Sequence, residues 1–306
     1  MFLLNDKIKK QGTSVALGYF DGIHIGHQAV LGEAMKKAGE LSLVAVVMLF
    51  DVHPRKVLSG DVPPMLTSEE EKREILEKMG FTVVNFNFRQ AMNFSPEEFI
   101  DKILIEGLNA KFVCCGYDYH YGKGGKGNAE TLKGELLKRE IKFNSLPAVC
   151  LNGEVVSSTK IRQLITDGEI EKANTMLGKE FSYNPIVKKG DGIGHNLGFP
   201  TINQSFPTDF IVPKYGVYLS KTKVADEYYP SVTNVGIRPT VNGETLRSET
   251  CILDFSGNLY GEKVQVSLLE YIRGEIKFGS LDELKAQISK DIKKARLMYN
   301  EVVKNG

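Results

Sequence analysis

Apolar and polar positions alternate in two ways along the first 180 residues. Short apolar runs with the length of buried strands lie at residues 15–20, 42–50, 82–88 and 111–115. Between them, apolar positions recur every three or four residues, as in amphipathic helices, at residues 26–40, 67–80, 95–106 and 128–140. Two shorter helices are predicted at residues 158–166 and 169–177. This order predicts an α/β domain that is Rossmann-like, with a mainly parallel, doubly wound sheet.

The pattern changes near residue 183. The alternation of strands and helices stops at Tyr183-Asn184-Pro185, where the proline disfavours continuation of a helix. Beyond it, segments separated by glycines alternate with period two, for example at residues 217–224 and 263–272. These segments predict an antiparallel β-barrel. The chain is therefore predicted to be α/β followed by β, with domains at residues 1–182 and 183–306.

One helix is predicted to close the chain. Ser280 and Glu283 have the spacing of a capping box at its start. An apolar stripe follows at helical spacing and should dock on the barrel; its members are Leu281, Leu284, Ile288, Ile292, Ala295 and Tyr299.

Composition limits the classes of protein that fit. The 306 residues are enough for two domains with separate cores. A formal net charge of +1 provides no global positive field, which argues against binding to nucleic acid or to a membrane surface. The four cysteines lack the spacing of a zinc site or a disulfide framework. Without a signal-peptide pattern or an apolar stretch of the ~20 residues that span a bilayer, we expect a cytoplasmic protein.

The segment from Gly18 to His27 joins the first predicted strand to the first helix. It lies at the carboxyl end of a strand, where open α/β sheets bind ligands. The N–H groups and the positive dipole at a helix start attract anions such as a triphosphate. His24 and His27 share a face there, and each can donate a hydrogen bond to phosphate. A structural role is the alternative for such histidines, but His-x-Gly-His in this setting resembles the nucleotidyltransferase superfamily.

A second phosphate-type pattern lies at residues 156–162, Val-Ser-Ser-Thr-Lys-Ile-Arg. Ser157 or Ser158 can cap the helix that follows, and Thr159 and Arg162 place a hydroxyl and a cation on one face. Alone, this pattern is more typical of an N-cap with a solvated basic face. Together with the histidines it predicts a second contact to the triphosphate, because such nucleotidyltransferases often carry a similar segment.

The glycine-rich segment Gly122–Gly127 matches G-x-G-x-x-G between a strand and a helix. Two of its spacers are lysines, and no clear acidic partner follows on a strand about 20 residues later. A dinucleotide fingerprint is therefore disfavoured, and a mobile active-site loop is the better interpretation.

The second half carries its own candidate phosphate site. Residues 189–203 combine a glycine-rich segment with Thr201 and Asn203, two residues apart on a predicted strand. Side chains at that spacing share one face, so both oxygens can reach a Mg²⁺–phosphate unit. Turns and bulges are the alternative explanation for these glycines.

Several motifs in this half resemble a riboflavin kinase domain. They are Gly-Phe-Pro-Thr-x-Asn at residues 198–203, Asn-Val-Gly-Ile-Arg-Pro-Thr at 234–240, Glu-Thr-Cys-Ile-Leu-Asp-Phe at 249–255 with Leu-Tyr-Gly at 259–261, and Ile-Arg-Gly-Glu-Ile-Lys-Phe at 272–278. Together with the first half, residues 15–295 resemble the bacterial bifunctional riboflavin kinase/FMN adenylyltransferase family, also called FAD synthetases. The resemblance implies a Greek-key topology for the barrel of the second domain. It also implies that riboflavin and ATP yield FMN in that domain, and that FMN and ATP yield FAD and pyrophosphate in the first. Mg²⁺ is implied for both steps, and riboflavin, FMN and ATP are the implied partners.

The resemblance also implies roles for individual residues. In the adenylyltransferase domain it implies an ATP site with catalytic histidines, formed by Gly18, Phe20, Asp21, His24, Gly26, His27, Ser158, Thr159 and Arg162. The segment on the flavin side of that domain matches Gly116, Asp118, Tyr119 and Tyr121, although the two tyrosines could equally be core residues. The implied kinase ATP site consists of Gly190, Gly192, Gly194, Gly198, Thr201 and Asn203, of which the last two also bind Mg²⁺. Glu249 would take the proton from the ribityl 5′-hydroxyl. Arg273 would contact the flavin or shape its loop.

Two positions depart from the family pattern. Asp51-Val52-His53-Pro54 replaces the more usual Glu-Pro-His-Pro, which changes loop stiffness because proline fixes φ. His195 replaces a common arginine in the glycine loop, so the charge there depends on pH and the kinase affinity for ATP is affected.

Other functions explain less of the sequence. An enzyme with only one active half is the nearest alternative. A flavin- or nucleotide-binding regulator is disfavoured because Glu249 and both histidines are present. Adenylylation of pantetheine phosphate or nicotinate mononucleotide would explain the first motif but not the second domain.

Overall fold

The computed structural model describes residues 10–190, 194, 197–207, 209–240 and 243–305. Gly192 and His195, predicted above to belong to the kinase loop, lie outside the described residues. The chain divides into two compact units, Met1–Ser158 and Thr159–Gly306. The proposed domain boundary at residues 182 and 183 stays a prediction.

The first unit contains nine strands and six α-helices among its described residues. The strands are β1 Thr13–Leu17, β2 Val44–Phe50, β3 Thr82–Phe86, β4 Ala110–Gly116, β5 His120–Tyr121, β6 Gly127–Asn128, β7 Lys142–Leu146, β8 Cys150–Leu151 and β9 Glu154–Val155. The helices are α1 Ile25–Glu40, α2 Pro54–Leu58, α3 Glu69–Lys78, α4 Phe88–Ala91, α5 Pro96–Glu98 and α6 Ala129–Lys138. Short 3₁₀ turns span Asp21–Ile23 and Lys123–Gly125, and a π-helix spans Phe99–Gly107.

The main sheet of this unit is parallel, with the strand order β3-β2-β1-β4-β7. Alternate residues of its central strands point into two cores. Val15 packs in the core that contains the π-helix and α6, and its neighbour Ala16 packs in the core that contains α1 and α3. Helices therefore cover both faces, which confirms the predicted doubly wound α/β domain.

Three predicted elements of this unit have different ends. β1 ends at Leu17 because Phe20, expected in the strand, has a φ of 57°. β3 ends at Phe86, since the Asn87 side chain caps α4 and accepts a hydrogen bond from the Gln90 N–H. The helix expected at residues 95–106 is α only as far as Glu98, where the π-helix follows. Its apolar spacing does not distinguish bonds to the fourth residue from bonds to the fifth.

The second unit contains three helices and six strands among its described residues. They are α7 Ser158–Asp167, α8 Ile170–Leu177, β10 Phe181–Tyr183, β11 Thr201–Ser205, β12 Gly216–Val224, β13 Glu227–Thr240, β14 Gly243–Ile252, β15 Gln265–Arg273 and α9 Leu281–Asn305. The first turn of α7 begins at Ser158, the last residue of the first unit.

The six strands form one antiparallel sheet in the order β10-β15-β12-β13-β14-β11. Because β15 returns beside β12, strands β12 to β15 have the predicted Greek-key arrangement. The sheet curls, and the chain after β10 links its two edges. Ile186 bridges to Lys263 before β15, and Lys188 bridges to Asn203 of β11. The prediction of an antiparallel barrel is confirmed.

The two faces of this curled sheet differ in chemistry. One face carries small hydroxyls that bond across strands, such as Ser220 to Thr233 at 2.7 Å and Thr233 to Thr250 at 2.9 Å. On the other face, Leu219 and Val232 pack against Ala295 of α9. The period of two predicted from sequence therefore separates a hydroxyl-lined interior from a face covered by α9.

The C-terminal helix departs from its prediction in two details. Ser280 Oγ accepts the Glu283 N–H at 3.2 Å, but the Glu283 carboxylate accepts from Gly279 N–H instead of returning to Ser280, so the capping box is only half formed. Leu281 is 64% exposed and takes no part in the docked stripe. Docking involves later positions of the stripe, where Ala295 is fully buried and Ile292 and Tyr299 pack beside it.

Candidate active sites

The turn between β1 and α1 places two histidines at a helix start. Phe20 has a φ of 57°, and the 3₁₀ turn that follows leads to His24, which is the N-cap of α1. His24 Nδ1 accepts a hydrogen bond from the His27 N–H at 3.2 Å, so neutral His24 carries its proton on Nε2. The two imidazole rings stack with centroids 3.6 Å apart and an angle of 15° between planes. Both predicted histidines therefore lie together at the end of β1.

His27 lies in an environment that keeps it neutral. Its pKa is well below the usual value of 6.5, first because of burial and then because of the nearby His24 and Lys72. Its Nδ1 atom is buried and has no hydrogen-bond partner among the described residues. A neutral imidazole has one N–H donor and one acceptor. His27 therefore offers a hydrogen bond to an anion and not a resident positive charge.

The other predicted residues of this turn mainly shape it. Asp21 is buried, and its Oδ1 accepts the backbone N–H groups of Leu66 at 3.0 Å and Thr67 at 3.2 Å. A Cβ on Gly26 would lie 3.2 Å from the His24 ring, and one on Gly18 would lie 2.9 Å from the Phe20 ring. These glycines leave room for the aromatic rings that build the turn.

Ser158, the last residue of the first unit, contacts the same turn. Ser158 Oγ donates to the Asp21 carbonyl at 3.0 Å, so the hydroxyl predicted to cap α7 has a backbone acceptor in the histidine segment. Thr159 is exposed and Arg162 is half-buried, three residues apart on α7. Their role as triphosphate ligands stays a prediction.

The residues on the predicted flavin side lie at and after the end of β4. Gly116 is the last residue of β4, and a Cβ there would lie 3.1 Å from Asp118 Oδ1. The rings of Tyr119 and Tyr121 are parallel, with centroids 6.2 Å apart. Tyr121 is 5% exposed and belongs to the core, whereas Tyr119 is only partly buried against it. Contact of either tyrosine with a flavin stays a prediction.

The segment Gly122–Gly127 forms the turn between the antiparallel strands β5 and β6. Backbone conformation and close packing explain two of its glycines. Gly122 has a φ of 72° and lies against Pro96, and a Cβ on Gly127 would lie 2.4 Å from the Tyr121 ring. Because this turn joins two antiparallel strands, it is not the strand-to-helix turn of a dinucleotide fingerprint. Its mobility stays a prediction.

The second unit contains a pocket of about 380 Å³ between α9 and the sheet. Its polar end is defined as the part of the lining on β11, β13 and β14 that carries Thr201, Asn203, Asn234 and Glu249. The segment after β15 and α9 add the charged Glu275 and Asp291 and apolar walls, which are formed by Ile276, Phe278, Leu284, Ile288 and Ile292. The pocket has the size and mixed lining of a small-molecule site.

Glu249 stands at the polar end in a row set by strand register. It pairs with Asn203 of β11 on one side and with Asn234 of β13 on the other. Thr201 lies on the same face as Asn203, as its spacing predicted, and all four side chains line the pocket. A half-buried carboxylate flanked by two amides is suited to accept a proton from a hydroxyl bound in the pocket.

The described part of the glycine loop lies close to this row. A Cβ on Gly190 would come within 2.3 Å of Asn203 Nδ2, and one on Gly194 within 3.1 Å of Thr201 Oγ1. Gly198 has a φ of 86°, where a side chain would be strained. The absence of side chains thus brings the loop backbone next to the two predicted ligands.

Arg273 lines the pocket, but its guanidinium is engaged. Its Nη2 donates to Asp291 Oδ2 of α9 at 2.6 Å, Nε donates to the same carboxylate, and Nη1 donates to the Gly274 carbonyl at 2.8 Å. Asp291 is 4% exposed. The pair fixes α9 to the end of β15, which supports the interpretation that Arg273 shapes the flavin loop.

Comparisons with known proteins identify the family. A family profile for FAD synthetase matches residues 6–160, and one for riboflavin kinase matches residues 177–299. A bifunctional riboflavin kinase/FMN adenylyltransferase of Bacillus subtilis (strain 168) is 37% identical and covers 97% of this chain and 96% of its own. The chain belongs to this family. A protein of the same description from Escherichia coli (strain K12) is 34% identical, with 95% of this chain and 94% of its own covered.

The chain also resembles a solved structure with a different description. A crystal structure of a macrolide-efflux protein from Streptococcus pneumoniae has a TM-score of 0.86 and 32% identity, and 94% of each chain is covered. The efflux description concerns that protein, whereas both family profiles name flavin chemistry. Among the residues that the structure describes, no helix is long and apolar enough to cross a membrane.

The family resemblance implies Mg²⁺, and the polar end of the kinase pocket fits it. Asn203 is 8% exposed, and its Oδ1 is a buried acceptor that lacks a hydrogen-bond partner in the described part of the chain. Thr201 adds a hydroxyl oxygen to the same face. Oxygen donors of this kind suit Mg²⁺, which usually keeps several waters and binds phosphate. No group of three His, Cys, Asp or Glu side chains with metal-binding geometry occurs in the described ranges.

Two residues of these sites were missed by the sequence analysis. Asn234 flanks Glu249, and its position within the motif at residues 234–240 was the available signal. Lys72 of α3 is 1% exposed and contacts the histidine turn through the Tyr19 carbonyl. The sequence signal for Lys72 was its position on the inward face of a predicted helix, where an apolar residue is expected.

Proposed function

We propose that this chain makes FAD in two ATP-dependent steps at separate sites. Riboflavin and ATP yield FMN and ADP in the second unit, and FMN and a further ATP yield FAD and pyrophosphate in the first. Membership of the bifunctional family supports both reactions. The single observation that carries the assignment is the row of Asn203, Glu249 and Asn234 in a half-apolar pocket, because it provides a proton acceptor beside a space for a flavin.

In the kinase step, Glu249 accepts the proton of the ribityl 5′-hydroxyl as that oxygen bonds to the γ-phosphorus of ATP. The bond between the γ-phosphorus and the oxygen bridging to the β-phosphate breaks, and ADP leaves. The apolar walls of the pocket hold the flavin ring and exclude water. Arg273 and Asp291 hold α9 against the pocket, so that this wall keeps its place.

Thr201 and Asn203 would hold Mg²⁺ and the phosphates of ATP in this step. Held by these residues, Mg²⁺ would supply positive charge that offsets the negative charge of the transferred phosphoryl group. Gly190, Gly194 and Gly198 bring backbone close to the same two residues. Glu249 lies one strand away from Asn203, so base and phosphate ligands share one face of the sheet.

In the adenylyl-transfer step, the FMN phosphate oxygen attacks the α-phosphorus of ATP and pyrophosphate leaves. No proton acceptor is required, because the attacking phosphate is already ionised. The helix start and the N–H donors of His24 and His27 stabilise negative charge on the triphosphate. Thr159 and Arg162 are assigned to the same triphosphate by the resemblance. Gly116, Asp118, Tyr119 and Tyr121 are assigned to the flavin on the same basis.

Two further parts of this proposal concern the chain as a whole. The domain boundary at residues 182 and 183 is tested by comparing fragments of residues 159–306 and 183–306 for folding and for riboflavin phosphorylation. The proposal also places the enzyme in the cytoplasm, which is consistent with four cysteines that are all free thiols.

Incubation of the chain with riboflavin, ATP and Mg²⁺, followed by chromatography of the flavins, tests the function. We expect FMN to appear first and FAD to follow. A parallel incubation with FMN in place of riboflavin should yield FAD alone. Consumption of ATP without a phosphorylated flavin would contradict the proposal, and formation of only one product would limit the chain to one activity.

A further inference from the structure

Lys72 occupies a position that the pattern of its helix reserves for an apolar residue. The described inward positions of α3 are Lys72 and Leu76, four residues apart on one face. With 1% exposure, Lys72 is the most buried cationic side chain in the described part of the protein. Burial of an ammonium group is costly unless it is paired and hydrogen-bonded. A charged residue at a position where the helix pattern calls for an apolar one is expected at functional sites.

The ammonium group of Lys72 is directed at the turn that precedes the histidines. Its Nζ donates to the Tyr19 carbonyl at 3.3 Å and lies 4.1 Å from the centroid of the Tyr19 ring. It also donates to Glu69 Oε1 at 2.8 Å, and the Tyr19 hydroxyl donates to the same oxygen at 3.1 Å. Lys72 thus holds Tyr19 at its backbone and at its ring, immediately before the strained Phe20.

The positive charge of Lys72 is only partly compensated. Its partner Glu69 has a side chain that is 48% exposed, so solvent screens the carboxylate more than the buried ammonium. Among the described residues, the charged or titratable groups that act on His27 are His24, stacked on its ring from the start of α1, and Lys72 from α3. Each disfavours a proton on His27.

We propose that Lys72 is a positioning residue of the adenylyltransferase site. Through the Tyr19 carbonyl it fixes the turn that leads into α1, and its buried charge adds to burial and to the stacked His24 ring, which keep His27 a neutral hydrogen-bond donor toward the nucleotide. Neutral rings also allow the close stacking of His24 on His27, which two imidazolium rings would oppose. The proposal rests on adenylyl transfer as the function of the first unit.

Three variants of the full chain test this role, with one matched control. Lys72→Met removes the charge and the donors at similar length, and Lys72→Arg keeps the charge but changes the donor geometry. Glu69→Gln keeps the lysine and removes its counter-charge. The control is Lys78→Met on the same helix, where the lysine side chain is 80% exposed. Each protein is assayed for kcat/KM of FAD formation from FMN, for riboflavin phosphorylation, and for the titration midpoint of His27 by NMR, with the signal assigned by its loss in His27→Gln.

We expect Lys72→Met to lower kcat/KM for adenylylation by about tenfold or more, as for loss of a charge-assisted hydrogen bond. Riboflavin phosphorylation should not change. The His27 midpoint should rise by about 0.5 pH units or more in Lys72→Met, stay near the wild-type value in Lys72→Arg, and fall in Glu69→Gln. Lys72→Arg should still adenylylate less well than the wild type, and Lys78→Met should match the wild type in every measurement.

Wild-type adenylylation by Lys72→Met would overturn the proposal. A loss of adenylylation with an unchanged His27 midpoint in both Lys72→Met and Glu69→Gln would also overturn it, since Lys72 would then have only a structural role. If Lys72→Met does not fold, the His27 midpoint in Glu69→Gln tests the proposal. A fall in that midpoint supports it, and an unchanged midpoint overturns it. Failure of the proposed function is distinguishable, because a wild-type chain that makes no FAD still has a His27 midpoint that responds, or does not respond, to these changes.

Discussion

Replacing Glu249 by Gln should separate the two reactions of this chain. The substitution keeps the size of the side chain and its capacity for hydrogen bonds, and its neighbours across the strands stay Asn203 of β11 and Asn234 of β13. It removes the carboxylate that is proposed to accept the proton of the ribityl hydroxyl. The row of three side chains, and therefore the shape of the polar end of the pocket, should be preserved.

The expected loss follows from the role of this carboxylate. A positioned general base contributes roughly 10²–10⁴-fold to the rate, which corresponds to about 3–5 kcal/mol of the activation barrier. FMN formation should fall by that factor with little change in the KM for riboflavin, because the apolar walls that are proposed to bind the flavin ring are untouched. Adenylylation of supplied FMN should be almost unchanged, since its nucleophile is already ionised and its site is in the other unit.

The assay measures four rates, with wild-type and variant chains each supplied with riboflavin or with FMN. Glu227→Gln is a matched control, because Glu227 is an exposed glutamate at the far end of β13. Equal loss of both activities in folded Glu249→Gln would mean a single shared site or strong coupling between the units. Kinase activity within about threefold of the wild type, far less than the loss of a general base, would remove Glu249 from its assigned role.

Three further predictions test the rest of the reasoning. His27→Ala should lower FAD formation about tenfold or more and let FMN accumulate from riboflavin, and loss of kinase activity instead would contradict the assignment. Gly190→Ala places a Cβ 2.3 Å from Asn203 Nδ2, so the displaced amide should cost roughly 10²-fold in kinase rate, while Gly134→Ala, with no atom within 4 Å of its Cβ, should leave the rate unchanged. Because the pKa of folded His27 lies below its ordinary 6.5, the unfolded chain binds more protons in acid, and the unfolding free energy should decrease as the pH falls below 6.5. Chemical denaturation at several pH values should show a weaker decrease in His27→Gln, and identical pH dependence in both proteins would be evidence against a neutral, buried His27.

Much of the fold follows from local pattern. The parallel sheet of the first unit and the antiparallel strands of the second were predicted because hydrophobic periods of 3.6 and 2 indicate which side of each element is buried. The Greek-key order of those strands was implied by the family resemblance. The residues at which helices and strands begin and end were predicted less well. Phe20 looks like the end of an apolar strand, but its ring has to reach the core from a turn, so the backbone at Phe20 adopts a φ of 57°.

For the sites, the sequence by itself determined which functional side chains lie close together on one helix or strand. His24 with His27 and Thr201 with Asn203 share faces because helix and strand geometry alone brings together residues three and two positions apart. Only the tertiary structure decided that Glu249 stands between Asn203 and Asn234, since strand register depends on contacts far apart in the chain. It also decided that Lys72 is buried under Tyr19 and that Arg273 is held by Asp291, because the local pattern of a helix or strand does not record which charge a distant segment will supply.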